Sequence, residues 1–142
     1  MPEVVSAARS RNMAAIRSKN TRPEIIIRKH LHRRGFRFRV HAAIPGKPDI
    51  VFPKHNALIF VNGCFWHGHD CRFFKLPKTR REFWERKISE NRKRDDRVVA
   101  ELKAEGWRQL IVWECALRGE KAPRTLEKIE KWILSRRKLT EI

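Results

Sequence analysis

The sequence predicts an α/β sandwich built around a mixed β-sheet. The chain has 142 residues, enough for one domain with a single hydrophobic core. Hydrophobic residues make up 41% of it, which supports a folded protein although 35% of the residues are charged. Short apolar runs and longer helical patterns follow one another in the order helix, three strands, helix, strand, helix. The three consecutive strands predict an antiparallel meander.

The first helix is predicted to begin after Thr21, because Pro23 suits a first turn and Glu24 stands where a capping box places its carboxylate. Gly35 is expected to end this helix. Three strand-like runs follow, separated by turns at residues 45–48 and 53–56. They are Phe36–Val40, Asp49–Phe52 and Ala57–Val61.

A second capping-box pattern, Thr79–Glu82, predicts the start of a long helix that Gly106 ends. Residues 85–97 are almost wholly polar, so we expect much of this helix to face solvent or a ligand. Arg108–Glu114 reads as a buried strand, and Thr125 is the predicted cap of a final amphipathic helix.

The charge balance points to a polyanionic partner. Lys and Arg outnumber Asp and Glu by 34 to 16, which gives a net charge of +18. Nucleic acid is the usual partner of such a surface. The alternatives are a protein that binds an anionic membrane and a basic protein whose charge serves only its solubility. No apolar run approaches the ~18–20 residues that span a bilayer.

We expect residues 1–20 to form a basic N-terminal arm that contacts DNA, and residues 21–142 to form a single domain. The arm carries Arg9, Arg11, Arg17 and Lys19 against one acid, Glu3. It lacks the apolar core of a secretory signal, so we expect a cytoplasmic protein.

The cysteines and nearby histidines predict a metal site. Three cysteines are a poor basis for disulfides, whereas Cys64, His69 and Cys71 lie within eight residues and Cys115 follows the last apolar strand. Three cysteines and one histidine are a common ligand set for structural zinc. Alternatively, Cys115 is an ordinary buried thiol. His67 is then an alternate ligand, a surface histidine, or a histidine that the zinc loop holds in place for another task.

Acidic residues offer a second kind of site. Asp49 follows a proline at the start of an apolar strand and is one of only four aspartates. A solvated cap or an ion pair would account for it, but a protein that cuts polyanions needs carboxylates to hold Mg²⁺ beside the phosphate. Glu24 can complete such a site, and Asp95 can orient His67.

Aromatic residues accompany the metal loop. Phe65 and Trp66 lie in it, and Trp84 begins the long helix. Core packing is one explanation. Insertion between DNA bases is the other, since exposed aromatic side chains on a basic surface can unstack them.

Five segments together resemble the very-short-patch repair (Vsr) endonucleases, over about residues 9–119. They are "RSRNMAAI", "GKPDIVF", "NGCFWHGHDCRFFKLPKTRREFW", "RDDR" and "GWRQLIVWECALRG". The resemblance implies a restriction-endonuclease-like fold of the PD-(D/E)xK type, a three-layer sandwich with a central mixed β-sheet and a structural zinc site. It also implies that residues 21–142 are an endonuclease domain.

The implied activity is Mg²⁺-dependent, strand-specific nicking of double-stranded DNA, 5′ to the thymine of T:G mismatches that arise when 5-methylcytosine deaminates. The resemblance further implies a bacterial, nucleoid-associated protein with functional links to a DNA cytosine methyltransferase and to mismatch-repair proteins. Because the sequence shows no strong stripe for self-association, a monomer is the simpler expectation. A non-catalytic zinc-containing DNA-binding module, or a restriction-type nuclease acting on unmismatched DNA, are the alternatives.

The resemblance also assigns catalytic roles. Asp49 and the main-chain carbonyl of Val61 would bind Mg²⁺, Glu24 would hold metal-bound water, and His67 supported by Asp95 would act at the scissile phosphate.

Zinc would be bound by Cys64, His69, Cys71 and Cys115. Phe65, Trp66 and Trp84 would form a wedge at the mismatch, with Met13 entering from the other side and Lys87 and Asn91 contacting the mismatched bases. The chain departs from the family pattern at Asn62 and Val61, where histidine and threonine are familiar, and at Gly68 and Asp70, which interrupt a histidine run.

Overall fold

Five strands form one mixed sheet in the order in which they occur along the chain. The structure is a computed structural model that describes residues 21–72 and 74–142, so Met13 and the expected arm, residues 1–20, lie outside the described residues. The elements are α1 (Arg22–Arg33), β1 (Arg39–Val40), β2 (Ile50–Phe52), β3 (Ala57–Asn62), α2 (Arg81–Ala104), β4 (Arg108–Trp113), α3 (Ala122–Ile133) and β5 (Leu139–Glu141).

The first three strands are antiparallel, and the remaining pairs are parallel. β1 pairs with β2 and β2 with β3 in the antiparallel sense, which confirms the predicted meander. α2 then carries the chain back, so that β4 runs parallel to β3. Their register pairs Val61 with Val112 and Asn62 with Trp113. The segments that follow these two strands therefore leave the sheet side by side.

Helices cover both faces of the sheet, which confirms the α/β sandwich and gives it three layers. On one face, α1 and α3 contribute Ile27 and Ile129 to a core that includes Ile59 of β3. On the other face, Leu102 of α2 packs with Leu58 of β3. Successive residues of β3 thus point into opposite cores, because side chains alternate along a strand.

Two strands differ from the prediction. The run Phe36–Val40 forms a strand only at Arg39–Val40, because Phe36 and Phe38 turn toward the core and pack edge-on against Phe52 instead of continuing the ladder. β5 is an addition that the sequence analysis missed. Its three residues pair in parallel with β4, but they follow a basic segment and are too short for a periodic signal.

Of the three predicted helix caps, only the first is confirmed. The Thr21 side chain accepts the Glu24 N–H at the start of α1. α2 instead begins after Arg80, which adopts a left-handed backbone (φ 54°) and leaves Thr79 outside the cap position. Thr125 lies within α3, where its hydroxyl donates to the Ala116 carbonyl at 2.6 Å. Both of these cap predictions are therefore wrong.

In the part of the chain that the structure describes, no helix is both long and apolar enough to cross a membrane.

The two misassigned threonines provide a matched stability test. Thr125→Val removes a buried hydroxyl and leaves the Ala116 carbonyl without this donor, which should lower the free energy of unfolding by about 1–2 kcal/mol. The same substitution at Thr79 should cost less than about 0.5 kcal/mol, since no helix cap is lost. Denaturant unfolding of the purified proteins measures both; equal losses would contradict this assignment of the caps.

Candidate functional site

The Cys/His cluster forms where β3 and β4 end next to each other. The loop after β3 carries three of its members, and a 3₁₀ turn at Glu114–Leu117 carries the fourth directly after β4. One possible ligand atom from each of the four residues lies within 4.8 Å of the others. The four members are Cys64, His69, Cys71 and Cys115. The cluster therefore contains the four residues that the sequence predicted.

Local contacts fix the shape of this cluster. The His69 N–H donates to the Cys64 carbonyl at 2.9 Å, which folds the loop into a tight turn. The Cys64 N–H donates to the Glu114 carboxylate at 3.2 Å and ties the loop to the end of β4. The His69 ring stacks on Trp113 at 4.1 Å, and its Nδ1 lies 3.5 Å from the Cys115 sulfur. Nδ1 thus faces the cluster.

The donor chemistry of the cluster fits a cation. Burial raises the pKa of the Cys64 thiol to about 12; a hydrogen bond from the Cys115 backbone opposes this shift, whereas the Cys115 and Cys71 sulfurs add to it. A bound cation reverses this preference, because thiolates are the form that coordinates metal. Three sulfurs and one imidazole nitrogen are a zinc-type set. The residues therefore form a possible metal-binding group that is compatible with zinc.

His67 lies outside this cluster. Its Nδ1 is 2.5 Å from an Asp95 carboxylate oxygen on α2. Because a carboxylate only accepts hydrogen bonds, Nδ1 carries the hydrogen, and Nε2 is the ring nitrogen left for another partner. In this geometry the hydrogen-bond partner of the His67 ring is the Asp95 carboxylate and not a member of the Cys/His cluster.

The polar stretch of α2 anchors the backbone of the loop. The Asn91 amide donates to the Trp66 carbonyl at 2.8 Å, and the Arg92 guanidinium donates to the carbonyls of His67 and Gly68. Asn91 is buried and Lys87 is exposed. Part of the stretch expected to face solvent or ligand therefore faces the loop, and sequence reasoning missed Arg92 in this role.

Asp49 and Glu24 form a second, carboxylate site at the start of β2. One oxygen of Asp49 accepts the Val61 N–H at 2.7 Å. Glu24 reaches the site from α1 and is fully buried; its Oε2 accepts Arg28 Nη1 at 2.9 Å. Its other oxygen, Oε1, has no hydrogen-bond donor among the described residues. The structure thus brings the two predicted carboxylates together.

The electrostatics of this pair also favour a cation. The pKa of Asp49 is raised to about 7, first because burial removes water from its carboxylate and second because the Glu24 carboxylate lies close. The Val61 N–H opposes this shift. A hard cation with oxygen ligands stabilises two adjacent carboxylates and satisfies an oxygen that lacks a donor. The donor set fits Mg²⁺.

The loop aromatics form one cluster with the start of α2. Phe65 and Trp66 contact each other edge-to-face at 5.2 Å between ring centroids, and their rings lie 5.5 and 5.9 Å from that of Trp84. Trp84 is only 5% exposed. Its buried ring therefore packs against the two half-buried loop aromatics and supports them.

Comparisons with known proteins find relatives among named DNA endonucleases. A family model described as DNA mismatch endonuclease Vsr matches residues 3–73. The DNA mismatch endonuclease Vsr of Escherichia coli is 47% identical over 131 residues, which cover 89% of this chain and 84% of that protein. The type II nicking enzyme V.XorIIP of Xanthomonas oryzae is 56% identical over 106 residues, covering 74% and 78%. The type II nicking enzyme V.NmeAIP of Neisseria meningitidis is 41% identical over 116 residues, covering 81% and 83%.

The two histidines of the loop should differ in their effect on metal content. His69→Ala removes a cluster ligand and should reduce bound zinc well below about one ion per chain. His67→Ala should keep wild-type zinc content, because His67 pairs with Asp95. Elemental analysis of the purified, dialysed proteins measures both; zinc loss in His67→Ala with retention in His69→Ala would reverse the assignment.

Proposed function

The chain belongs to the Vsr family of DNA mismatch endonucleases, and we propose that it nicks one strand of T:G-mismatched DNA in a Mg²⁺-dependent reaction. The nick falls 5′ to the thymine of mismatches produced by deamination of 5-methylcytosine. The protein is a nuclease, as its named relatives are. Its sheet and helices fit an α/β nuclease fold, which we assign to the restriction-endonuclease-like PD-(D/E)xK type.

The observation that carries this proposal is the hydrogen bond from the Val61 N–H to Asp49. It joins the carboxylate site to the end of β3, from which the Cys/His loop departs. Val61, which holds Asp49, and His67 therefore lie on one short stretch of chain. Hydrolysis of a phosphodiester needs this combination of a cation site and a group that handles protons or phosphate charge.

In this mechanism Asp49 and the Val61 carbonyl would hold Mg²⁺, and Glu24 would hold metal-bound water. Bound Mg²⁺ stabilises negative charge at the phosphate and lowers the pKa of water. Asp95 keeps the hydrogen on Nδ1 of His67, so that Nε2 meets the scissile phosphate or the attacking water. The zinc-bound residues fix the loop and have no direct part in hydrolysis.

The aromatic cluster recognises the mismatch. Phe65 and Trp66, supported by Trp84, insert beside the mismatch, while Met13 enters from the opposite side. A T:G step unstacks at lower cost than a Watson–Crick step, which gives selectivity. Lys87 and Asn91 contact the mismatched bases; Asn91 also bonds the Trp66 carbonyl, so it couples base contact to the position of the wedge.

The net charge of +18 supports double-stranded DNA as the partner. We propose that the protein acts as a monomer. A DNA cytosine methyltransferase is its functional partner, because that enzyme creates the 5-methylcytosine whose deamination yields T:G, and mismatch-repair proteins act on the same lesion.

Asp49→Asn tests the proposed chemistry. Replacing the carboxylate by an amide removes the principal cation ligand and should slow single-turnover nicking of a T:G duplex in Mg²⁺ by about 100-fold or more. Asp96→Asn, the same change at an exposed position on α2, should leave the rate near wild type.

A C:G version of the same duplex measures mismatch specificity. The wild type should nick it far more slowly than the T:G duplex. Full activity of Asp49→Asn would remove Asp49 from the mechanism. Equal nicking of both duplexes would favour a nuclease for unmismatched DNA, and binding without nicking would favour a non-catalytic DNA-binding module.

A further inference from the structure

His41 is a third polar side chain at the carboxylate site. The β1–β2 register pairs Val40 with Ile50, so the residue after Val40 lies across from Asp49, the residue before Ile50. The His41 Nε2 is 3.3 Å from Glu24 Oε2. Because a carboxylate only accepts, Nε2 donates this hydrogen bond. His41 therefore links the end of β1 to the buried carboxylate of α1.

The donors around Glu24 are distributed unevenly. Both Arg28 Nη1 and His41 Nε2 meet the same oxygen, Oε2, at 2.9 and 3.3 Å. Oε1 is equally buried but receives no hydrogen bond from the described residues. A purely structural ion pair gains most when both carboxylate oxygens are satisfied, as in bidentate pairing with arginine. The arrangement here satisfies one oxygen and leaves the other for a different partner.

The backbone of His41 also deviates from ordinary geometry. Its φ of 53° lies in the left-handed region, which is uncommon for residues other than glycine, although histidine, asparagine and aspartate adopt it more often than most. Such conformations persist where surrounding contacts hold them, and they concentrate at functional sites. At this position the turn directs the imidazole to Glu24, while its side chain stays 22% exposed.

We propose that His41 is a positioning residue for the cation site: with Arg28 it fixes Glu24 through Oε2, so that Oε1 is held ready for the divalent cation or its water. The assignment rests on the proposed function, since it takes Asp49 and Glu24 as the cation site. The raised pKa of Asp49, which the neighbouring Glu24 helps to cause, supports the close approach of the two carboxylates.

Mn²⁺ binding to the full-length, zinc-loaded protein provides a test that does not depend on nicking. Titration with MnCl₂, followed by electron paramagnetic resonance of the free ion, gives the affinity. His41→Ala removes one hydrogen bond to a charged acceptor and should weaken Mn²⁺ binding about tenfold. His41→Gln places an amide N–H near the position of Nε2 and should restore most of the affinity.

His55→Ala is the matched control. His55 is another half-buried histidine, but it lies in the β2–β3 turn at the opposite end of the sheet. Its replacement should leave Mn²⁺ affinity unchanged. In nicking assays, His41→Ala should raise the Mg²⁺ concentration for half-maximal rate about tenfold and approach the wild-type rate at saturating Mg²⁺.

The outcomes separate the two proposals. If Asp49→Asn binds Mn²⁺ like wild type, the cation is not held there and the proposed function loses its metal site. If Asp49→Asn loses affinity while His41→Ala retains it, the inference about His41 alone is overturned. It is also overturned if His41→Gln is as weak as His41→Ala although both keep wild-type zinc content and thermal stability.

Discussion

The parallel pairing of β3 with β4 is the constraint on which both sites depend. It places Asn62 beside Trp113, so the Cys/His loop and Cys115 leave the sheet as neighbours. The same strand end supplies the Val61 N–H that holds Asp49. Parallel strands need a connection across one face, and α2 is that connection. The sheet therefore fixes the position of the Cys/His cluster relative to the carboxylate site before any ligand binds.

The polar residues of α2 are the second feature that positions the loop. Leu102 packs under the sheet, whereas Asn91, Arg92 and Asp95 bond the loop through two kinds of contact. Backbone carbonyls are held by the amide and the guanidinium, and the imidazole of His67 is held by the carboxylate. The loop is therefore restrained by α2 on one side and by the Cys/His cluster on the other. A loop restrained in this way can present His67 and the aromatic cluster in one fixed geometry.

The sequence predicted the sheet interior, the meander and the Cys/His set because apolar runs and ligand types are local signals. The contributions of Arg92 and Glu114 were not predictable, since a polar residue looks the same in sequence whether it faces water or a loop carbonyl. Thr79 is not a cap because Arg80 adopts a left-handed backbone directly before α2, and Thr125 is not a cap because it lies inside α3 and donates to the Ala116 carbonyl. β5 was missed because its three residues gain their stability from β4 rather than from their own pattern.

In the proposed division of roles, His69 binds metal and His67 remains free of it. A long-range ¹H–¹⁵N correlation spectrum of the imidazole side chains, recorded on the zinc-loaded protein near pH ~8 where most imidazoles are neutral, tests this directly. We predict a metal-bound Nδ1 for His69 and, for His67, a hydrogen on Nδ1 with an unprotonated, uncoordinated Nε2. A metal-bound nitrogen on His67, or a His69 ring free of metal, would contradict the division of roles within the loop.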